Sequence, residues 1–147
     1  MEEFRTIITL ETNNTIKEIE ISPSDFRIDE ANLDVELCRA GVLLAYYGDL
    51  AAELDAQASN NKNKLDQLYS DKALNIREFS KTAGERVTEG SIEERVLTDH
   101  EYISFQEKTV QSQRDANKCS AFFKSMQAKT ECAKALAYRQ RVQEREF

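Results

Sequence analysis

The chain has 147 residues, of which 32% are charged and 40% hydrophobic, with four glycines, one proline and no tryptophan. This length suits one domain with a modest core, and many charges combined with few helix breakers favour long helices. No apolar run approaches the roughly 20 residues of a membrane span, and the acidic N-terminus lacks the layout of a signal peptide. We therefore expect a cytoplasmic protein with no membrane partner.

The net charge of −7 is divided unevenly along the chain. Residues 1–59 have a net charge of −9, residues 60–86 of +2, residues 87–107 of −5 and residues 108–147 of +5. A chain divided in this way can present a basic face to a polyanion while its acids lie elsewhere. It can equally bind its own copies, acidic part to basic part.

The sequence contains no pattern typical of a metal, cofactor or catalytic site. Three cysteines without a CxxC pair, and one histidine, are too few soft ligands for a structural zinc site. The acids of residues 93–101 supply oxygens suited to Mg²⁺, but the helix dipole favours acids at a helix start in any case. His100 has no serine or cysteine at a nearby turn, and a GxxxxGK[ST] phosphate loop is absent. We expect no cofactor, no metal and no enzymatic activity.

The first predicted element is a β-hairpin within residues 1–22. Residues 4–10 and 15–21 are rich in β-branched side chains and straddle the sequence ETNN, whose asparagines suit a turn. A hairpin alone is only marginally stable in water, so we expect it to dock on helices or to pair with an edge of another subunit. Alternation places two sets of side chains on one face each: Phe4, Thr6, Ile8 and Leu10, and then Ile19 and Ile21.

A helical domain is predicted for residues 23–147, and it begins with a long helix over about residues 29–79, capped near Asp29. Such a helix reaches roughly 75 Å and needs a partner along its length. Its apolar positions advance by steps of four and three residues, as in a coiled coil: Leu33, Leu37, Ala40, Leu44, Tyr47, Ala51, Leu54 and Ala58. We expect this stripe, chiefly Leu33, Leu37, Leu44, Tyr47 and Leu54, to form the seam of a homo-oligomer. Gly41 and Gly48 lie off the seam, where they either admit a close neighbour or mark a bend.

A loop over residues 80–91 and a second helix over about residues 92–144 complete the predicted domain. Ser91 and Glu94 have the spacing of a capping box. The seam of the second helix is weaker because its middle is small and polar: Tyr102, Phe105, Thr109, Ser112, Ala116, Cys119, Phe123, Met126, Thr130, Ala133 and Ala137. Folded back on the first helix, it gives a fold that is mainly α, a long antiparallel helical hairpin with a short N-terminal β-hairpin. Low apolar area per residue favours self-association.

A basic set at the end of the first helix is the candidate DNA-binding surface: Lys62, Lys64, Lys72, Arg77, Lys81 and Arg86. Tyr69 and Phe79 lie among these cations. Cations that contact phosphates, with aromatic rings that stack on unpaired bases, are the components of a single-strand-binding surface. A mixed helix face of this kind is also typical of simple solvation, and both interpretations remain open.

A second basic set lies on the last helix: Lys118, Lys124, Lys129, Lys134, Arg139, Arg141 and Arg145. Basic residues at a helix C-terminus are favoured by the dipole without any ligand. Their combined charge becomes large only if several chains lie side by side, in which case multivalency would strengthen a weak site.

Residues 26–53, 71–84 and 87–141 together resemble the phage recombination mediators of the UvsY type. The resemblance lies in a first helix with a Tyr-Tyr stretch, a basic helix end and a last helix that ends in Arg. It implies a small helical protein that assembles into a ring and binds single-stranded DNA. It also implies help to a RecA-like recombinase in displacing the single-strand-binding protein. The family's basic element falls on LNIRE, where Arg77 matches its Arg and Asn75 stands where a Lys is expected.

Two functions from different classes follow from these patterns. The first is a non-enzymatic DNA-recombination mediator that binds single-stranded DNA and assists the loading of a RecA-like recombinase. The alternative is an acidic coiled-coil interaction protein, a phage inhibitor or scaffold that binds a host protein through its acidic first half.

Overall fold

The computed structural model describes residues 6–12 and 15–146, and within them a two-stranded sheet precedes three α-helices. The strands are β1 (Thr6–Thr12) and β2 (Thr15–Ile21), and the helices are α1 (Leu33–Ala83), α2 (Glu89–Leu97) and α3 (His100–Glu146). Two 3₁₀ turns, Pro23–Phe26 and Glu30–Asn32, connect β2 to α1. The predicted class, mainly α with an antiparallel helical hairpin and an N-terminal β-hairpin, is confirmed.

Contacts group the chain into two compact units. The terminal unit contains residues 1–54 and 115–147, and the middle unit contains residues 55–114. The β-hairpin belongs to the terminal unit and α2 to the middle unit, whereas α1 and α3 each contribute a segment to both. Within each unit, the segments of α1 and α3 run antiparallel.

The β-hairpin has one buried and one exposed face. In its antiparallel register Ile8 is opposite Ile19, and Thr6 is opposite Ile21. Ile8 and Ile21 are buried, so this face is covered within the terminal unit. The predicted alternation of Thr6, Ile8, Leu10, Ile19 and Ile21 onto one face is therefore confirmed. Phe4 and the turn residues Asn13 and Asn14 lie outside the described residues.

α1 begins at Leu33, four residues after its predicted start, because a 3₁₀ turn occupies Glu30–Asn32. Asp29 caps this turn, since its carboxylate accepts hydrogen bonds from the backbone N–H of Ala31 and the side-chain amide of Asn32, at 3.1 and 2.8 Å. Carboxylates at such a position satisfy donors that have no partner in the helix. The prediction of Asp29 as a cap is thus correct, although the element it begins is the turn.

Every predicted seam position of α1 is buried or half-buried within the single chain. Leu33, Tyr47 and Leu54 are buried, whereas Leu37 and Leu44 are half-buried. All the predicted seam positions of α3 are likewise buried or half-buried. The interpretation of the α1 stripe as a seam between subunits therefore needs correction, because the chain uses the stripe for its own packing, with α3 folded back on α1.

A polar cluster joins the first 3₁₀ turn to both long helices in the terminal unit. The carboxylate of Asp25 accepts hydrogen bonds from Tyr47 Oη at 2.9 Å and from Arg39 Nη2 at 2.8 Å. Burial, and then the hydrogen bond to Asp25, raise the pKa of Tyr47 well above its ordinary value, so the phenol stays protonated and donates. Phe26 packs on the ring of Tyr47, at 5.2 Å between centroids.

Lys129 of α3 is the buried cation of this cluster. Its side chain is only 3% exposed, and its Nζ donates to the backbone oxygen of Asp25 at 2.6 Å. The same nitrogen lies 3.0 Å from Glu36 Oε2. That oxygen accepts no hydrogen bond, so this second contact is an ion pair without hydrogen-bond geometry. A buried charge of this kind requires a partner. Lys129, predicted as part of a basic surface, is therefore a packing residue.

Gly48 and Gly41 occupy different surroundings on α1. A Cβ at Gly48 would lie 3.0 Å from Cε2 of Phe123, whereas a Cβ at Gly41 would meet nothing within 4 Å. Gly48 therefore admits a close neighbour, the ring of Phe123 on α3. Of the two roles predicted for these glycines, close approach applies at Gly48 and not at Gly41.

The core of the middle unit consists of residues from all three helices. A polar pair lies beside it, where the side-chain amide of Asn61 donates to Ser112 Oγ at 3.1 Å. Both residues are buried, and both interrupt the apolar seams of the sequence. Because each is the other's partner, the pair favours one alignment of α1 and α3. The buried core residues are Ala73, Ile92, Val96 and Tyr102, against which Leu65, Leu68, Tyr69, Ile76 and Val87 pack.

The ends of the helices in the middle unit differ from the predicted ones. α1 continues to Ala83, where Gly84 adopts a left-handed φ of 73°. The N–H of Gly84 donates to Lys81 O, and the N–H of Glu85 donates to Ser80 O, the pattern of a Schellman cap. Glycine adopts this conformation with little strain, so it ends the helix.

α2 is capped by Thr88 and not by Ser91. Thr88 Oγ1 accepts from the N–H of Ser91 at 3.2 Å, so Ser91 lies inside the first turn and the predicted capping box is wrong. The predicted single helix over 92–144 is also divided at Thr98 and Asp99. The carboxylate of Asp99 accepts from the N–H of Tyr102 at 3.1 Å and starts α3 as its cap.

Candidate nucleic-acid interface

A groove of about 280 Å³ lies in the middle unit, between α1 and the end of α2. Four of its residues recur at intervals of three and four along α1, so that they share one face of that helix. The groove is lined by Lys72, Asn75, Ile76 and Phe79 from α1, and by Arg95, Val96 and Asp99. Val96 is buried and Ile76 half-buried, which gives the groove an apolar floor.

Phe79, Arg95 and Asn75 are the exposed side chains of the groove, and Phe79 and Arg95 are the aromatic and the cationic one. Phe79 is 70% exposed, so its ring is accessible to a ligand. Arg95 is exposed, and no described carboxylate lies within 4 Å of its guanidinium. An aromatic face beside an unpaired guanidinium provides a stacking surface and a fork of phosphate donors.

Lys72 is held by two carboxylates. Its Nζ lies 2.6 Å from Glu101 Oε2 and 3.4 Å from Asp99 Oδ1. The hydrogen bond to Glu101 is the main cause that raises the pKa of Lys72. The pKa of Asp99 is lowered, first by the N–H of Tyr102 and then by Lys72. Lys72 and Asp99 therefore stay charged at neutral pH, and Lys72 chiefly neutralises the acids at the groove.

The six cations predicted to bind DNA all belong to the middle unit but do not form one face. Lys62 and Lys64 are exposed, yet two residues advance a helix by about 200°, so they lie on opposite flanks of α1. Arg77 Nη2 bonds Glu89 Oε2 at 2.7 Å, in a pair whose members are both largely exposed. Lys81 and Arg86 are exposed, and no described carboxylate lies within 4 Å of either.

Of the two aromatic residues predicted to stack on bases, Phe79 is accessible and Tyr69 is not. Tyr69 is half-buried in the middle-unit core, with its ring 6.0 Å from that of Tyr102. Edge-to-face pairs of this kind stabilise a core. Tyr69 therefore contributes to the core of the middle unit, and its ring is less accessible than that of Phe79.

Arg95 was missed by the sequence patterns. It is the single basic residue of residues 87–107, whose net charge is −5. The net charge of that segment therefore gives no indication of a basic site. Only the fold of α2 against α1 places it beside Phe79. Over the whole middle unit, 11 acidic and 9 basic residues give a net charge of −2, and the terminal unit has a net charge of −5.

The second basic set is partly neutralised in the terminal unit. Lys129 is buried, and Lys134 pairs with Glu131 on its own helix at 3.1 Å. Lys118, Lys124, Arg139, Arg141 and Arg145 are exposed on α3.

The described residues contain no group of three or more His, Cys, Asp or Glu side chains placed to hold a metal ion. Cys38 and Cys132 are exposed, whereas Cys119 is buried. Burial, and then Asp115, raise the pKa of the Cys119 thiol to about 11. None of the helices described here has a stretch apolar enough to cross a membrane.

Comparison with protein-family models, with curated proteins and with solved structures finds no match to this chain.

Proposed function

We propose that this protein is a non-enzymatic accessory of DNA recombination that binds single-stranded DNA through its middle unit. The observation that carries the proposal is the groove in which an exposed ring, Phe79, and the guanidinium of Arg95, which has no carboxylate partner among the described residues, both line the wall. Four further cations are exposed on the same unit, although they do not share one face: Lys62, Lys64, Lys81 and Arg86. The resemblance of residues 26–141 to mediators of the UvsY type supports the same function.

The proposed mechanism is competition for the strand. Phosphate contacts and base stacking would hold a single strand without reading its sequence. Wrapping the strand would weaken its contacts with a single-strand-binding protein and leave it accessible to a RecA-like recombinase. Several copies on one strand would strengthen a surface that has few unpaired cations per chain. A homo-oligomer therefore remains part of the proposal, although the α1 stripe is used within the chain.

The first prediction concerns binding of oligo-dT, measured by fluorescence anisotropy from about 50 mM salt upwards. We expect binding that weakens steeply with salt, because each phosphate contact releases counterions. The triple variant Lys62→Gln/Lys64→Gln/Lys81→Gln should bind more weakly and with a flatter salt dependence. A control with the same loss of charge is Lys118→Gln/Lys124→Gln/Arg139→Gln, on the terminal unit.

Equal weakening by both triple variants would mean that only overall charge matters, and the middle unit would then have no special role. Undetectable binding of oligo-dT at about 50 mM salt by the folded protein would exclude the proposal. Sedimentation in the same buffer, with and without DNA, measures whether several copies assemble on the strand.

A second candidate, an interaction protein that binds a host protein through acidic surfaces, is favoured by the charge balance. The two units have net charges of −5 and −2, and Lys72 and Arg77 are paired with carboxylates. The exposed face of the β-hairpin also includes Glu18 and Glu20. A folded protein that ignores single-stranded DNA would favour this candidate.

A further inference from the structure

We infer that the groove of the middle unit is a subsite for one nucleotide of a single strand, with the base stacked on Phe79 and its phosphate bound by Arg95. This inference rests on the proposed binding of single-stranded DNA and names the residues that make the contact. Phe79 was already predicted from the sequence to stack on bases, whereas Arg95 lies in an acidic segment and is not assigned by charge counts.

The stacking surface is the ring of Phe79. This ring is 70% exposed at one side of a groove whose floor contains Ile76 and Val96. A base that enters the groove would stack on the ring of Phe79. The base and the apolar side chains of the groove would then lose contact with water, which favours binding. Every base has an aromatic face, so the subsite would accept any of the four.

The phosphate contact is Arg95, because the other cation of the groove is already occupied. Lys72 is paired with Glu101 and Asp99, whereas Arg95 has no such partner among the described residues. A phosphate at Lys72 would have to displace two carboxylates, and a phosphate at Arg95 displaces only water. The guanidinium can also donate two parallel hydrogen bonds to phosphate oxygens.

Among the described residues, Asp99 is the one carboxylate that lines the groove, and it is held by other partners. Asp99 lies 3.4 Å from the Nζ of Lys72, which it shares with Glu101, and it accepts the N–H of Tyr102. The groove is lined by two cations, Lys72 and Arg95, and by Asp99. Glu101 beside Lys72 brings the local balance to neutral, so Arg95 is the cation left for a phosphate among the described residues. Local charge is what a bound phosphate experiences, since more distant exposed charges are screened by salt.

The test compares single variants in the oligo-dT titration. Phe79→Ala should weaken binding about tenfold and leave the salt dependence unchanged, since stacking releases no counterions. Arg95→Gln should reduce the slope of log K against log salt by about 0.7, the value for one phosphate of a single strand. Phe79→Tyr, which keeps the ring, should bind like the original protein.

The controls are Tyr138→Ala and Arg139→Gln, both on the terminal unit. Tyr138 is 70% exposed, as is Phe79, so its loss removes an equally accessible ring. Arg139 is exposed, and its replacement changes the net charge as Arg95→Gln does. Circular dichroism melting curves verify that each variant is folded, which is expected because these side chains are exposed.

The outcomes separate this inference from the proposed function. If the original protein binds oligo-dT but Phe79→Ala and Arg95→Gln behave like their controls, the subsite is excluded and binding of single-stranded DNA stands. If the original protein does not bind oligo-dT, both the subsite and the proposed binding of single-stranded DNA are excluded. Thymidine monophosphate at the same nucleotide concentration should not displace oligo-dT. Displacement would identify a site for free nucleotides and overturn the assignment to a strand.

Discussion

Two adjacent tyrosines on α1 have opposite surroundings. Tyr47 is 1% exposed and donates to Asp25, whereas Tyr46 is 47% exposed. Their rings form an edge-to-face pair at 5.2 Å. The heptad spacing predicts that Tyr47 lies on the seam, and its burial follows from that local pattern. Its partner Asp25 is 22 residues earlier in the chain, and no local pattern identifies it.

The prediction at the residue scale is that Tyr47→Phe lowers the free energy of unfolding by about 2 kcal/mol, because a hydrogen bond to a charged group is lost. Arg39 remains as a donor to Asp25, so the carboxylate is not left alone. Tyr46→Phe is the matched control and should change the free energy by less than about 0.5 kcal/mol. Urea unfolding monitored by circular dichroism measures both, and equal effects would show that the hydroxyl of Tyr47 contributes nothing.

At the scale of elements, the two polar residues that interrupt the apolar seams form a hydrogen bond with each other. The sequence places Asn61 and Ser112 on seams without indicating that they are partners. Their hydrogen bond arises because α3 returns along α1 in one alignment. The helix ends likewise depend partly on local and partly on distant contacts. Gly84 ends α1 through its own left-handed conformation. The boundary between α2 and α3 depends on Asp99, which caps α3 and also contacts Lys72 of α1.

The prediction for the helices concerns the two glycines of α1, Gly41 and Gly48. Gly41→Ala should raise the free energy of unfolding by about 1 kcal/mol, because alanine is the better helix former and its Cβ meets nothing. Gly48→Ala should instead lower it by about 1 kcal/mol, since the new Cβ crowds the ring of Phe123 at 3.0 Å. Thermal unfolding of the two variants measures the difference. An equal gain in both would contradict the close contact of Gly48 with Phe123.

At the scale of the whole molecule, the decisive finding is that the α1 stripe is buried in its own chain. The periodicity predicts an apolar stripe that needs a cover, and it cannot distinguish another copy from a later segment of the same chain. The antiparallel return of α3 supplies that cover. The acidic first part of the chain and the basic last part accordingly meet in one unit, as the contact of Lys129 with Glu36 illustrates.

The corresponding prediction uses Leu54, which is fully buried. Leu54→Ala should lower the free energy of unfolding by about 3 kcal/mol, the usual effect of a cavity in a packed core. The unfolding midpoint should not depend on protein concentration. Val42→Ala, at a position 71% exposed, should have almost no effect. A midpoint that rises with concentration, with a lower sedimentation mass for Leu54→Ala, would restore the seam between subunits.

The sequence by itself determined the β-hairpin and the two long helical stripes, because these follow from periodicity. Only the tertiary structure decided what covers the stripe and which cations are already paired. It also placed Arg95 beside Phe79. The physical reason is that coverage and charge pairing are contacts between residues far apart in the chain, and a count along the chain assigns charges to segments without revealing which of them meet.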